Sequence, residues 1–205
     1  MRTRIKICGI TRVEDALAAV NLGVDALGFI FAPASPRYIT PIDAAKIIKE
    51  LPPFVSKVGV FVNEDLGLAI DSSRTAGVDV VQLHGDEPPE YCAGLPMPII
   101  KVFSVGADFD TSIMKRYDVA GYLLDTWDPK RRGGSGNTFD WSIAAKACGM
   151  HDTVILSGGL GPSNLREAVE TVRPYAVDLN SGVEVSPGVK DHDKIKAAVS
   201  IVKGE

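Results

Sequence analysis

The sequence predicts an α/β protein, a single-domain (β/α)8 TIM barrel over residues 1–205. Three observations lead there. Eight short apolar, β-branched runs recur, and a helical pattern follows every one of them, including the last. Their repeat of about 25 residues suits a compact barrel. No GxGxxG opens a helix after the first run, which disfavours an open doubly wound sheet.

The strand-like runs begin near Arg4 (RIKIC), Val24 (VDALGFIF), Phe54 (FVSKVGVFV), Val78 (VDVVQLH), Pro98 (PIIKVFSV), Val119 (VAGYLLD), Thr153 (TVILS) and Tyr175 (YAVDLN). Between and after them lie RVEDALAAVNL, PIDAAKIIKEL, NEDLGLAIDSSRTA, a short pattern after Pro88, DFDTSIMKRY, DWSIAAKACG, PSNLREAVETVR and DHDKIKAAVSIVK. Pro41 and Pro162 fit a first helical turn, and Asn63 and Ser163 read as caps. The longest strand-to-helix connections, FAPASPRYITP and TWDPKRRGGSGNTF, leave the C-terminal ends of strands, where barrel enzymes carry their sites.

With 45% apolar and 23% charged residues, the composition is that of a globular protein able to build its own core. Twenty-two basic against 26 acidic residues give a net charge of −4, which argues against a nucleic-acid partner. The three scattered cysteines, Cys8, Cys92 and Cys148, suggest free thiols in a reducing compartment. No stretch resembles a secretory signal or approaches the roughly 20 apolar residues of a membrane span, so the expectation is a cytoplasmic protein without a membrane partner. No metal-ligand cluster stands out. Oligomeric state, monomer or homodimer, stays open.

Parallel barrel strands should be almost wholly apolar, so polar exceptions carry information. They fall at Lys6, Gln82, His84, Lys101, Asp125, Asp178 and Asn180, and the period of two puts Lys6 with Cys8, Gln82 with His84 and Asp178 with Asn180. Buried charges must pair or serve a site. An isolated cysteine is commonly just a small core residue. Cys8, however, ends the first strand beside Gly9, where a thiolate could act as base or nucleophile and Lys6 could lower its pKa. Asp125 ends the sixth strand; it could be a mere loop ion pair, or the general acid complementing that base. His84 could orient a substrate or be structural, and Asp178 could pair with a lysine beside a phosphate loop. Glycine-rich stretches at 133–136, 157–159 and 180–182 follow strands six, seven and eight. Singly each is a turn. Together, Gly136, Gly158, Gly159, Ser181 and Gly182 suggest backbone N–H groups cradling a phosphate. Arg37 could clamp a second anionic group such as a carboxylate. Trp127 and Trp141 read as packing or lid residues.

The segments KICGIT (6–11), GFIFAPASPRYI (28–39), VGVFVN (58–63), VQLHGDE (81–87), LLDT (123–126), GGSGNTFDW (133–141), LSGGLGPSN (156–164) and VDLNSGVEVSPGVKD (177–191) together resemble the phosphoribosylanthranilate isomerase family of tryptophan biosynthesis. The likeness runs from the first strand to the last helix. It implies a cofactor-free Amadori rearrangement of a small phosphorylated substrate. Asp125 then matches the acid that protonates the ribose ring oxygen, and Cys8 the base that removes the C2 proton. Arg37 matches a residue near the anthranilate carboxylate, and the loops of Gly159 and Gly182 a phosphate cradle. Asn137 departs from the lysine that relatives often carry there, which touches only a side-chain contact to phosphate. Two alternatives differ by specific residues. A histidine-pathway aminoaldose isomerase should use carboxylates for both acid and base, unlike Cys8, and a silent phosphosugar-binding barrel should lack Cys8 or Asp125.

Overall fold

The structure, a computed structural model, describes residues 2–126 and 139–204. Eight parallel strands close a barrel in chain order, β8 returning to β1. They are β1 (Arg4–Ile7), β2 (Ala26–Ile30), β3 (Ser56–Phe61), β4 (Val80–Leu83), β5 (Ile99–Val105), β6 (Gly121–Thr126), β7 (Val154–Leu156) and β8 (Ala176–Leu179). The predicted barrel and each of its eight strand positions are therefore present.

Around it stand α1 (Val13–Asn21), α2 (Pro41–Ile48), α3 (Leu66–Ala76), α4 (Pro89–Ala93), α5 (Trp141–Cys148), α6 (Leu165–Val172) and α7 (His192–Lys203). After β5 the helical pattern DFDTSIMKRY forms only a 3₁₀ turn over Thr111–Arg116, anchored by the fully buried Met114. Pro41 sits in the first turn of α2, where its missing N–H costs nothing, behind the Thr40 cap on Asp43 N. Two expected caps move. Asp65, not Asn63, caps α3, because Asn63 turns to φ 51° and its side chain accepts from Asp86 N. Asn164, not Ser163, precedes α6 and folds back onto Gly159 and Gly161. An unforeseen hairpin of β9 (Glu184–Ser186) and β10 (Val189–Lys190) follows β8 and a 3₁₀ turn at Ser181–Val183.

Two periodicities build two layers. Ile5, Ile7, Leu27 and Phe29 face outward and pack with helix residues such as Ala16, Ala19 and Ala198. Val102, Leu123, Ile155 and Ala176 fill the barrel interior, and Cys8, Ile30 and Val60 form a small apolar group at its upper end. Each fully buried Ile, Leu or Phe contributes roughly 1.5–3 kcal/mol, so the continuous outer layer supplies most of the cohesion that fixes the mouth. Among the described residues, no helix is long and apolar enough to cross a membrane.

Candidate active site

Cys8 follows β1 immediately and is 4% exposed, with Gly28 of β2 making room for it. A Cβ at Gly28 would lie 2.7 Å from Cys8 Sγ and 3.2 Å from Lys6 Cε, so only glycine accommodates both side chains there. Lys6 and Asp178 are register partners on β1 and β8, and their buried side chains pair at 2.9 Å. Asp178 holds the Lys6 ammonium above the usual lysine value although burial opposes it, so we assign a charge-separated pair. Burial also pushes Asp178 upward, against the pull of Lys6.

That pairing changes the expected state of the thiol. Lys6 and Lys190 do lower the Cys8 pKa, but burial outweighs them and Asp178 adds a like charge, so the thiol stands above its ordinary value. The lysine near Cys8 is paired with Asp178, which the sequence order of residues could not reveal.

Across the mouth, Asp125 near the end of β6 is 4% exposed. Its Oδ1 accepts from Thr126 N at 2.9 Å, and its Oδ2 lies 3.2 Å from His84 Nε2. His84 Nδ1 in turn lies 3.4 Å from Gln82 Nε2. An Nε2–H tautomer satisfies both contacts, so Gln82 and His84 aim at Asp125 from β4. The Asp178 carboxyl interacts electrostatically with Lys6, and also with Asp125 and His84. Cys8 feels the same Asp178 and Lys6. Thiol and carboxyl therefore each lie within electrostatic reach of Asp178. Lys101, a polar exception to which the sequence assigned no face, points to the outer layer, because Ile100 and Val102 take the inward positions of β5. It pairs with Glu87 at 2.7 Å and donates to Gly85 O, bracing the turn after His84.

Arg37, in the loop after β2, donates through Nε and Nη2 to both oxygens of Glu184 at 2.6–3.1 Å. Glu184 also receives the fully buried Lys190 ammonium at 2.8 Å, and Lys190 reaches Asn180 Oδ1 at 3.1 Å. Neither Glu184 nor Lys190 was given a role from sequence; the available signal was a charged residue set between Val183 and Val185.

The loops after β7 and β8 approach each other through glycine. Gly158 and Gly159 adopt φ 89° and 62°, conformations that favour glycine. A Cβ at Gly182 would overlap the Leu160 carbonyl and lie 3.0 Å from Gly161 Cα. Among the described residues, the N–H groups of Gly158, Gly159 and Leu160 meet no protein acceptor, which leaves a corner of donors suited to an anion. Ser181 and Gly182 open the facing 3₁₀ turn. Gly136, Trp127 and Asn137 lie outside the described residues, whereas Trp141 opens α5 against the core.

Fold and mouth together define a class: a (β/α)8 enzyme equipped for acid–base chemistry on a small anionic substrate. Comparison sharpens this. The N-(5'-phosphoribosyl)anthranilate isomerase family model matches residues 5–201. A protein of that name from Geobacter sulfurreducens is 50% identical over 201 residues, covering 98% of each chain. A crystal structure of phosphoribosyl anthranilate isomerase in complex with reduced 1-(o-carboxyphenylamino)-1-deoxyribulose 5-phosphate superposes with a TM-score of 0.86 at 44% identity, covering 99% of this chain and 100% of that one. Monomeric forms generated from the dimeric Thermotoga maritima isomerase give a TM-score of 0.86 at 42% identity, with the same coverage. The chain belongs to the phosphoribosylanthranilate isomerase family, the isomerases of tryptophan biosynthesis.

Proposed function

We propose that this protein converts N-(5'-phosphoribosyl)anthranilate to 1-(o-carboxyphenylamino)-1-deoxyribulose 5-phosphate, with Asp125 as general acid and Cys8 as general base. The observation that carries the assignment is the inward placement of both groups at the C-terminal ends of β6 and β1, each within electrostatic reach of Asp178. Asp125 protonates the ribose ring oxygen as the amine lone pair expels it from C1, giving an iminium. Cys8 takes the C2 proton, and the C–H electrons neutralise the iminium as an enolamine, which tautomerises to the ketone. The substrate's own nitrogen is the electron sink, so the chemistry calls for no cofactor.

Around that step, His84 orients Asp125, Arg37 receives the anthranilate carboxylate, and Gly158, Gly159, Ser181 and Gly182 with Gly136 hold the phosphate. The setting is cytoplasmic metabolism. Cys8→Ser and Asp125→Asn should each lower kcat by about 10²–10⁴-fold, the usual contribution of a positioned acid or base. Inhibition by inorganic phosphate should stay within about twofold of the parent in both. Near-parental turnover in either purified, folded variant would overturn the assignment.

We further infer that two copies pair through the opposite, N-terminal mouth. Phe54 is 99% exposed there, beside a cavity of about 390 Å³ whose walls include Val58, Val80, Ile100, Ile155 and Ala176. A projecting ring next to an apolar hole is self-complementary under a two-fold axis, and the Thermotoga relative is dimeric. Sedimentation should show a dimer that Phe54→Asp dissociates without loss of kcat; a monomeric parent at tens of micromolar would refute the pairing.

A further inference from the structure

Arg37 reaches the mouth already committed. Its Nε and Nη2 grip Glu184 in a fork, its side chain is 12% exposed, and that of Glu184 is 3% exposed. A Cβ added at Gly9 would lie 2.7 Å from Arg37 Cδ and 2.8 Å from Asn180 Oδ1, so the arginine stem runs across the backbone next to Cys8. Glu184 is itself pinned by Lys190 and by Gly188 N at 3.2 Å, and Lys190 is tied to Asn180. Loops from β2 and β8 thus converge on one carboxylate, with Gly9 of the loop after β1 against the arginine stem.

The fork leaves Nη1 of Arg37 without an acceptor among the described residues. Two cations around one anion leave the trio a net single positive charge, which suits one further carboxylate. Burial opposes ionisation of Glu184, but the bonds from Arg37 and Lys190 outweigh it and hold its carboxyl below the ordinary glutamate value. Burial lowers the Lys190 pKa while Glu184 works against it, and the paired hydrogen bonds to Glu184 fix the guanidinium direction before any ligand arrives.

We propose that Glu184, secured by Lys190, is a positioning residue that aims Arg37 at the aromatic carboxylate of the substrate and so sets selectivity for a carboxylated arylamine. The proposal rests on the reading of Arg37 given above. A purely structural Glu184 would affect every substrate alike, whereas a positioning one affects only substrates that carry the carboxylate.

The test compares kcat/KM for N-(5'-phosphoribosyl)anthranilate with that for N-(5'-phosphoribosyl)aniline, which lacks the carboxylate. The parent should favour the anthranilate compound. Glu184→Gln should shrink that preference by about tenfold, mostly through KM, because a neutral amide makes weaker hydrogen bonds and cannot accept from both cations. Arg37→Gln should shrink it at least as much, and the double variant should add little. Should Glu184→Gln fold poorly, Glu184→Asp carries the test, since withdrawing the carboxylate by one methylene breaks the bridge while keeping the charge. A preference that Glu184 variants leave unchanged while Arg37→Gln reduces it overturns the positioning role alone. A larger preference in Glu184→Gln also overturns it, since added positive charge would then matter more than direction. A preference that Arg37→Gln leaves unchanged overturns both readings.

Discussion

Replacing Gly182 by alanine tests whether the two glycine loops form one anion-binding unit. The new Cβ would overlap the Leu160 carbonyl oxygen, lie 2.8 Å from its carbon and 3.0 Å from Gly161 Cα. All three neighbours are backbone and cannot rotate aside. Carbon–carbon contacts settle at about 3.5–4.0 Å, so the loops after β7 and β8 must part by roughly 0.5–1 Å. Overpacking of that kind costs about 1–3 kcal/mol, or roughly 2–10 °C in Tm for a domain of this size. A displacement near 1 Å in a binding constellation also costs up to about 10²-fold in catalysis. Weaker inhibition by inorganic phosphate and a raised KM should accompany the loss of stability. Gly77→Ala is the control: it sits at φ 75° with nothing within 4 Å of its added Cβ, so strain there should lower Tm and leave KM alone. Unaltered phosphate inhibition in Gly182→Ala, beside a parental Tm, would refute the reasoning.

Two further outcomes follow from the buried charges. Burial favours the neutral thiol, so the Cys8 thiolate, followed by ultraviolet absorbance against Cys8→Ser, should appear with a midpoint above the ordinary thiol value of about 8.5. Asp178→Asn removes a like charge and frees Lys6 to act on the sulfur, so it should lower that midpoint; an unmoved or higher midpoint would contradict the described geometry. Lys6→Met leaves Asp178 buried without its partner and should cost about 3–5 kcal/mol in urea unfolding at neutral pH. With its folded pKa raised, an unpaired Asp178 is least costly when protonated. The deficit should therefore shrink in acid and grow as pH rises through that value; a deficit independent of pH would count against the assignment.

The barrel was legible because strands covered on both faces read as nearly unbroken apolar runs, and RIKIC, GYLLD and YAVDLN show the few polar exceptions at inward positions. Cys8, Asp125, His84 and Asp178 stand out through that polarity together with their places at or near strand ends. Pairing did not, because it depends on register between distant strands: Lys6 meets Asp178 across 172 residues of chain. Lys101 shows the limit of reading polarity without phase, since Ile100 and Val102 claim the interior and turn it outward. The β9–β10 hairpin is too short for either periodicity to register, so Glu184 and Lys190 look like loop charges until coordinates bring Arg37 to them.

These pairings bear on the order of events in the mouth. Lys6, Lys101 and Lys190 are each almost fully buried, and each is answered by a carboxylate, as burial of charge demands. Lys6 and Lys190 still pull the Cys8 pKa down, but burial outweighs them and leaves the thiol above its ordinary value. Lys190 of the Arg37–Glu184–Lys190 trio also pulls on the sulfur, but both cations of that trio are shared with Glu184. On the proposed mechanism, ring opening by Asp125 creates an iminium next to C2, which acidifies the C2–H bond; the thiolate that breaks it has given its own proton to solvent beforehand and takes up the C2 proton in its place. In that scheme acid precedes base because the C2–H bond becomes acidic only once the iminium has formed.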